Sequence, residues 1–306
     1  MKKLAVGGTD DRFLSSVKQL AWRGVDRPQK TMVCPTKTLA ILAVALAPAL
    51  VFGFHHNNDD NWNLEDRETV DRSFTVGGAD AELAVHNFMG YVHVNGYDGN
   101  VIKIHTVKYM RAETKFGLED ARRLVTPEMA QEGNQVLVKT HWPGGDGHHH
   151  FSVWYDHDIE VPRGVRLDLK NFNRGTVEMR GTRGDFRVET FNGGIDLEDI
   201  EGSGSVKSFN ASIKAVFRRN PERETSFRTF NGSVDVYFEK NLNADLRFKT
   251  FHGGVYTDFD LTMPAGQLTG RRIWGEGGWN SARIGHGGPV LSFDGFNGPI
   301  RVHAKS

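Results

Sequence analysis

A short motif built on Phe-Asn-Gly returns again and again along this 306-residue chain, and that repetition restricts the fold more than any other feature. The clearest copies are ETFNGGIDL (189–197), KSFNASIKA (207–215), RTFNGSVDV (228–236), KTFHGGVYT (249–257) and DGFNGPIRV (294–302). HNFMGYVHV (86–94) fits the same frame. The anchoring rings are Phe88, Phe191, Phe209, Phe230, Phe251 and Phe296. Asn192-Gly193, Asn231-Gly232 and Asn297-Gly298 follow three of them in full. A further copy around Phe172 has its downstream apolar pair, Val177 and Met179, one residue late, so Arg174 reads as a single-residue insertion. A unit repeated at this period is the signature of an array of stacked supersecondary units.

The flanks repeat too. Three residues before the rings stand Val85, Val188, Val206, Phe227, Phe248 and Phe293, and four after stand Val92, Ile195, Ile213, Val234, Val255 and Ile300. Each unit is therefore two short alternating strands, each with one buried face. The upstream set lies at odd distances from Phe and the downstream set at even ones, so an unbroken strand would send them to opposite faces. A bend must intervene at Asn-Gly, where glycine tolerates positive φ. Asn-Gly is equally the signal of a type I′ hairpin. Steps of 19, 18, 21 and 21 residues from Phe172 to Phe251 match one compact turn of chain. One turn buries too little apolar surface to offset its own ordering, so turns must stack. The expected fold is all-β, a repeat-built β-solenoid resembling a single-stranded β-helix, with Phe stacked on Phe as a shared apolar spine. An open β-sandwich of hairpins is the alternative. One short helical insertion is expected within Ala112 to Gln131, where Ala121, Leu124 and Val125 share a helical face, before a strand at Gln135 to Thr140. The Gly-rich stretch Gly266 to Gly288, with Trp274 and Trp279, replaces a regular turn before the last repeat.

Composition agrees with a turn-rich β protein: 35 Gly against 10 Pro. The single cysteine, Cys34, excludes an internal disulfide and a Cys-based zinc site as fold organisers. Lys+Arg and Asp+Glu are both 38, which argues against a protein that coats nucleic acid. Leu39 to Phe54 is the one long apolar run. It is shorter than the roughly 20 residues of a spanning helix, follows Lys37, and offers Ala45, Ala47 and Ala49 for cleavage. Residues 32–53 therefore read as a signal peptide, with an uncleaved membrane anchor through 39–54 as the rival. Residues 1–31 read as an upstream extension or cytoplasmic tail, with Met32 as an alternative start. Residues 54–72 read as a polar linker and 73–306 as the β-strand-repeat domain. The expected location is exported: periplasm, outer cell envelope or extracellular.

The order FTVGG, LAVHNFMGYVHVNGYDGNVIKIHT, IEVPRGVRLDLKNFNRGTVEMRG and then reiterated TFNGxVxV resembles the bacterial putative-adhesin β-strand-repeat family, a domain of unknown function. The resemblance spans about Ser73 to Val302 and includes the Val161-Pro162 lead-in and the closing GGPVLSFDGFNGPIRV. It implies an exported all-β envelope domain with adhesion or scaffold roles and no catalytic residues. Met89, Ala211 and His252 depart from the Asn-Gly pattern.

Histidines offer the one suggestive chemistry. His148, His149, His150 and His157 lie beside Asp156 and Asp158, and imidazole with carboxylate can bind zinc, nickel or copper. Adjacent histidines in a Gly-rich loop do not preset a coordination geometry, so the plainer reading is a polar surface loop. Asp196 and Asp235 recur at one repeat position, where Lys214, Tyr256 and Arg301 stand in other copies, a mixture typical of a solvated face. The asparagines read as amides that satisfy tight corners. No nucleophile motif, Walker A or H-E-x-x-H pattern is present. The expected role is non-catalytic binding, adhesion or scaffolding toward an envelope protein or glycan, with no cofactor and no nucleic acid. A carbohydrate-active enzyme on the same scaffold, or a metal-binding envelope protein, is the alternative.

Overall fold

The computed structural model describes residues 62–78, 80–142, 150–263 and 278–305. The upstream extension, the signal or anchor segment and residues 54–61 lie outside the described residues, as do His148, His149 and Trp274. The described chain is all-β apart from one helix, and its strands form a first sheet of 10 strands and a second of 11.

The amino-terminal part comprises β1 (Leu64–Thr75), β2 (Glu82–Met89), β3 (Val92–Tyr97), β4 (Val101–Ala112), α1 (Lys115–Leu124), β5 (Thr126–Glu132), β6 (Gln135–His141) and β7 (Phe151–Pro162). β1 corrects the expected linker: Leu64 to Arg72 pair antiparallel with β4. β1 is the edge of the first sheet, so most of its side chains meet water and its composition matches that of a linker. Its charges also guard a free edge against pairing with another chain.

The helix lies where the periodicity places it. Thr114 caps it, its hydroxyl accepting from the Gly117 N–H at 3.0 Å, and Arg122 and Arg123 occupy the last turn, where cations favour the helix dipole. Ala121 packs with Met110, Ala112, Val125, Phe151, Val153 and Tyr155 in a small core separate from the main one. The Tyr155 hydroxyl ties this core to the end of the helix by donating to the Val125 carbonyl at 2.7 Å.

From Arg166 the chain alternates between the sheets. β8 (Arg166–Asn173), β10 (Phe186–Asn192), β12 (Gly204–Ser208), β14 (Thr225–Asn231) and β16 (Ala244–His252) enter the second sheet. β9 (Val177–Arg180), β11 (Ile195–Ile200), β13 (Ile213–Phe217), β15 (Val234–Phe238) and β17 (Val255–Thr257) enter the first. Strands flanking an Asn-Gly corner do not pair with each other. β10 pairs in parallel with β8 and β12, and β11 with β9 and β13. The corners are thus not hairpins. Each repeat contributes one strand to each sheet.

One feature departs from chain order. After β18 (Leu261–Thr262) and β19 (Asn280–Ile284), the last repeat forms β20 (Val290–Asn297) and β21 (Ile300–Ala304). β20 sits between β14 and β16, and β21 between β15 and β17, parallel on both sides. β19 covers the far side of β16 as an antiparallel strand.

The core lies between the sheets. Leu83, Val85, Leu167, Leu169, Val188, Val206, Phe227 and Phe293 face it from the second sheet, and Val92, Val94, Val177, Met179, Ile195, Leu197, Val234 and Ile300 from the first. The anchoring rings do not. Phe191 lies three residues beyond buried Val188 and is only partly buried, on the outer side of the second sheet. The expected apolar spine is therefore real as a column but is external. The parity break falls in the corner after the ring. Gly232 adopts φ +146° and Gly298 φ +131°, and inserted Arg174 takes φ +57°. A Cβ on Gly298 would collide with the Gly232 carbonyl of the neighbouring repeat, so close backbone stacking as well as φ demands glycine there.

Candidate functional site

In-register parallel pairing turns each repeat position into a straight column across the strands. Three such columns meet on the outer side of the second sheet, near its corner with the first.

The aromatic column is continuous. Trp142 stacks on Phe88 with ring centroids 5.2 Å apart, and Phe88 on Phe172 at 5.4 Å. Phe172–Phe191, Phe191–Phe209 and Phe209–Phe230 follow at 5.0, 4.8 and 4.9 Å. Phe296 then stacks on Phe230 at 4.6 Å and on Phe251 at 4.9 Å. The successive phenyl rings lie within 17° of parallel. Stacked this way, they cover each other's faces and turn their edges outward. Phe251, at the end of the row, is 45% exposed.

Beside the rings runs an amide ladder. Asn192 donates to Asn173 at 2.8 Å, Asn210 to Asn192 at 2.8 Å, Asn231 to Asn210 at 2.7 Å and Asn297 to Asn231 at 2.7 Å. His252 closes the row 3.2 Å from Asn297 Oδ1. The amides thus bond one another rather than the corner backbone. The corner carbonyls are satisfied from inside instead. Thr190 donates to Gly193 O at 2.7 Å, Thr229 to Ala211 O at 2.9 Å and Asn171 to Gly90 O at 2.8 Å.

The third element is charge, which the repeat alignment did not single out. Two and four residues before each ring, the same outer face carries Asp168 and Lys170 on β8, Arg187 and Glu189 on β10, Ser205 and Lys207 on β12, Ser226 and Arg228 on β14, Ser292 and Asp294 on β20, and Arg247 and Lys249 on β16. Six of these positions are basic, three acidic and three serine. Lys170 pairs with Asp168 at 3.0 Å, Lys207 with Glu189 at 3.2 Å and Arg228 with Asp294 at 3.1 Å. Burial opposes ionisation of Asp168, but hydrogen bonds from His86 and Lys170 outweigh it and hold its carboxyl below the ordinary range. The Arg247 guanidinium lies 5.2 Å from the centre of the Trp279 ring, itself 43% exposed.

The outer side of the first sheet differs. Lys214 pairs with Glu198 at 2.9 Å and Asp196 at 3.7 Å, and Arg301 with Asp235 at 3.0 Å. Burial raises the Asp196 carboxyl, with the Lys214 ammonium working the other way. The charge is mixed, as the sequence column has it, and the structure adds that these groups pair with one another. A shallow polar depression of about 260 Å³ there is lined by His93, Val94, Asn95, Asp158, Glu178 and Arg180.

Of the four candidate histidines only His150 and His157 are described, and those two are not brought together. His157 is buried in β7, its Nδ1 2.8 Å from the Thr106 hydroxyl, and burial lowers its pKa to about 4. His150 is exposed, with Nδ1 3.4 Å from Glu113. The two lie seven positions apart along extended chain, a span of roughly 23 Å. Among the described residues no group of three or more His, Cys, Asp or Glu is placed to hold a metal ion.

No family model matches the chain, and no curated protein sequence matches it. Among solved structures it is similar to one described as a "putative cell adhesion protein" from Clostridium sporogenes, at 14% identity and a TM-score of 0.40, over 78% of this chain and 100% of that one. A "putative adhesin" from Bacteroides fragilis is similar at 11% identity and a TM-score of 0.33, over 77% and 97%. A "putative lipid binding protein" from Parabacteroides distasonis is similar at 10% identity and a TM-score of 0.23, over 76% and 96%.

Proposed function

We propose that this chain is an exported, non-catalytic binding or scaffold protein of the cell envelope, built as a β-solenoid whose outer second-sheet face meets an extended partner. The continuous column from Trp142 to Phe251 carries the reading. Each repeat adds one copy of the same surface, so contact area grows along the stack without a cleft, which suits a long partner. The apolar run Leu39 to Phe54 supports export. The test has two arms. Mass spectrometry of the mature protein in cell fractions is expected to find an amino terminus beyond Ala45 and the protein in the envelope; an intact amino terminus in the cytosol contradicts export. Purified envelope polymer is expected to retain the protein and to remain intact. Release of soluble fragments would replace binding with catalysis.

A further inference from the structure

We propose that the outer face of the second sheet binds a linear acidic polysaccharide of the polyuronate type, laid across the strands; this rests on the binding reading above and names its ligand class. Three observations select that chemistry. The first is the ring geometry. Sequence-tolerant recognition of single-stranded nucleic acid places bases on exposed aromatic faces, and flat sugar stacking needs the same faces. Here neighbouring phenyls occupy them, at centroid distances of 4.6 to 5.4 Å. The column offers an apolar ridge of edges, not a stacking platform.

The second is charge. Basic side chains outnumber acidic ones six to three at the twelve positions two and four residues before Phe172, Phe191, Phe209, Phe230, Phe296 and Phe251. Among the described residues Arg187 and Lys249 have no carboxylate partner. On the opposite face Lys214 and Arg301 are taken up by Glu198, Asp196 and Asp235. Such an excess draws an anionic chain to this face.

The third is spacing. The columns repeat every ~4.8 Å, one strand at a time. A linear polyuronate presents one carboxylate per sugar at a comparable rise. Asn192, Asn210 and Asn231 each spend one amide hydrogen and one carbonyl lone pair on their neighbours, leaving one of each for sugar hydroxyls.

Calorimetric titration of the purified protein with oligogalacturonate tests this, with neutral dextran and single-stranded DNA as controls. The double variant Arg187→Glu, Lys249→Glu probes the face, and Lys214→Glu probes the opposite one. Saturable binding to oligogalacturonate is expected, weakening as salt rises. The double variant is expected to lose at least about tenfold in affinity and Lys214→Glu less than about twofold. Circular dichroism checks folding, and the Arg187→Gln, Lys249→Gln pair replaces the charge reversal if that variant does not fold. Absence of binding to oligogalacturonate, equal losses on both faces, or equally tight binding of DNA overturns the proposal. Retention by envelope polymer without oligogalacturonate binding overturns the ligand class and leaves the binding reading standing; loss of both removes both.

Discussion

Asn297 donates its side-chain amide hydrogen to Asn231 Oδ1 at 2.7 Å although the two lie 66 positions apart in the chain. The contact exists because the last repeat lies inside the stack, between two repeats that precede it in sequence. It also connects the two halves of the amide ladder. Asn297→Ala is expected to cost about 1 kcal/mol, the net worth of a partly exposed hydrogen bond. Asn297→Asp should cost more, because it sets a carboxylate acceptor against the Asn231 carbonyl oxygen. Urea denaturation measures both; an aspartate variant as stable as the alanine one contradicts the ladder.

Phe227 and Phe230 are three residues apart and face opposite ways. Phe227 is 1% exposed between the sheets and stacks on Phe293 at 5.4 Å, whereas Phe230 stands on the outer face. Phe227→Ala should cost about 3–5 kcal/mol. Phe230→Ala should cost about 1–2 kcal/mol, since part of its surface is already wet. Equal losses in chemical denaturation would place both rings in one core.

Gly232 holds φ +146°, and a Cβ there would lie 2.5 Å from the Ala211 carbonyl group. Ser233 next to it spends its hydroxyl on Asp235 at 2.6 Å. Gly232→Val is expected to destabilise by at least about 3 kcal/mol through strain and collision. Ser233→Val should lose roughly one hydrogen bond, about 1 kcal/mol. Thermal melts showing the reverse order would rule out the close-stacked corner.

His157 supplies a pH signature. Burial depresses its folded pKa from 6.5 to about 4, so between those values the unfolded chain binds the extra proton. Its neutral form stabilises fully above pH ~6.5, and that contribution fades as pH falls toward 4, by up to about 3 kcal/mol. Stability measured at pH 7 and pH 5 should therefore differ less in His157→Gln than in the parent protein. An unchanged difference would show that the imidazole is hydrated.

The local unit was legible because period-two alternation survives in every repeat: it marks Val188, Ile195 and Leu197 as members of one interior. The side on which the rings fall was encoded too, in the odd spacing from Val188 to Phe191, but a large apolar side chain invites placement in the core. Three features required the structure. The slot of the last repeat is invisible locally, since LSFDGFNGPIRV would pair with any neighbour of its kind. The charged columns look like scatter within one repeat, where Lys207, Glu189 and Asp294 simply differ, and become a face only when the strands align. β1 has a linker's composition because an edge strand lives largely in water.

A cross-link tests the order of repeats most directly. In a Cys34→Ser background, Asn231→Cys with Asn297→Cys places two thiols on adjacent in-register strands, whose ~4.8 Å separation suits a disulfide. Asn231→Cys with His252→Cys places them two strands apart, beyond that reach. The account predicts rapid intramolecular oxidation of the first pair and none of the second. Efficient closure of the second pair, with the first left reduced, would contradict it.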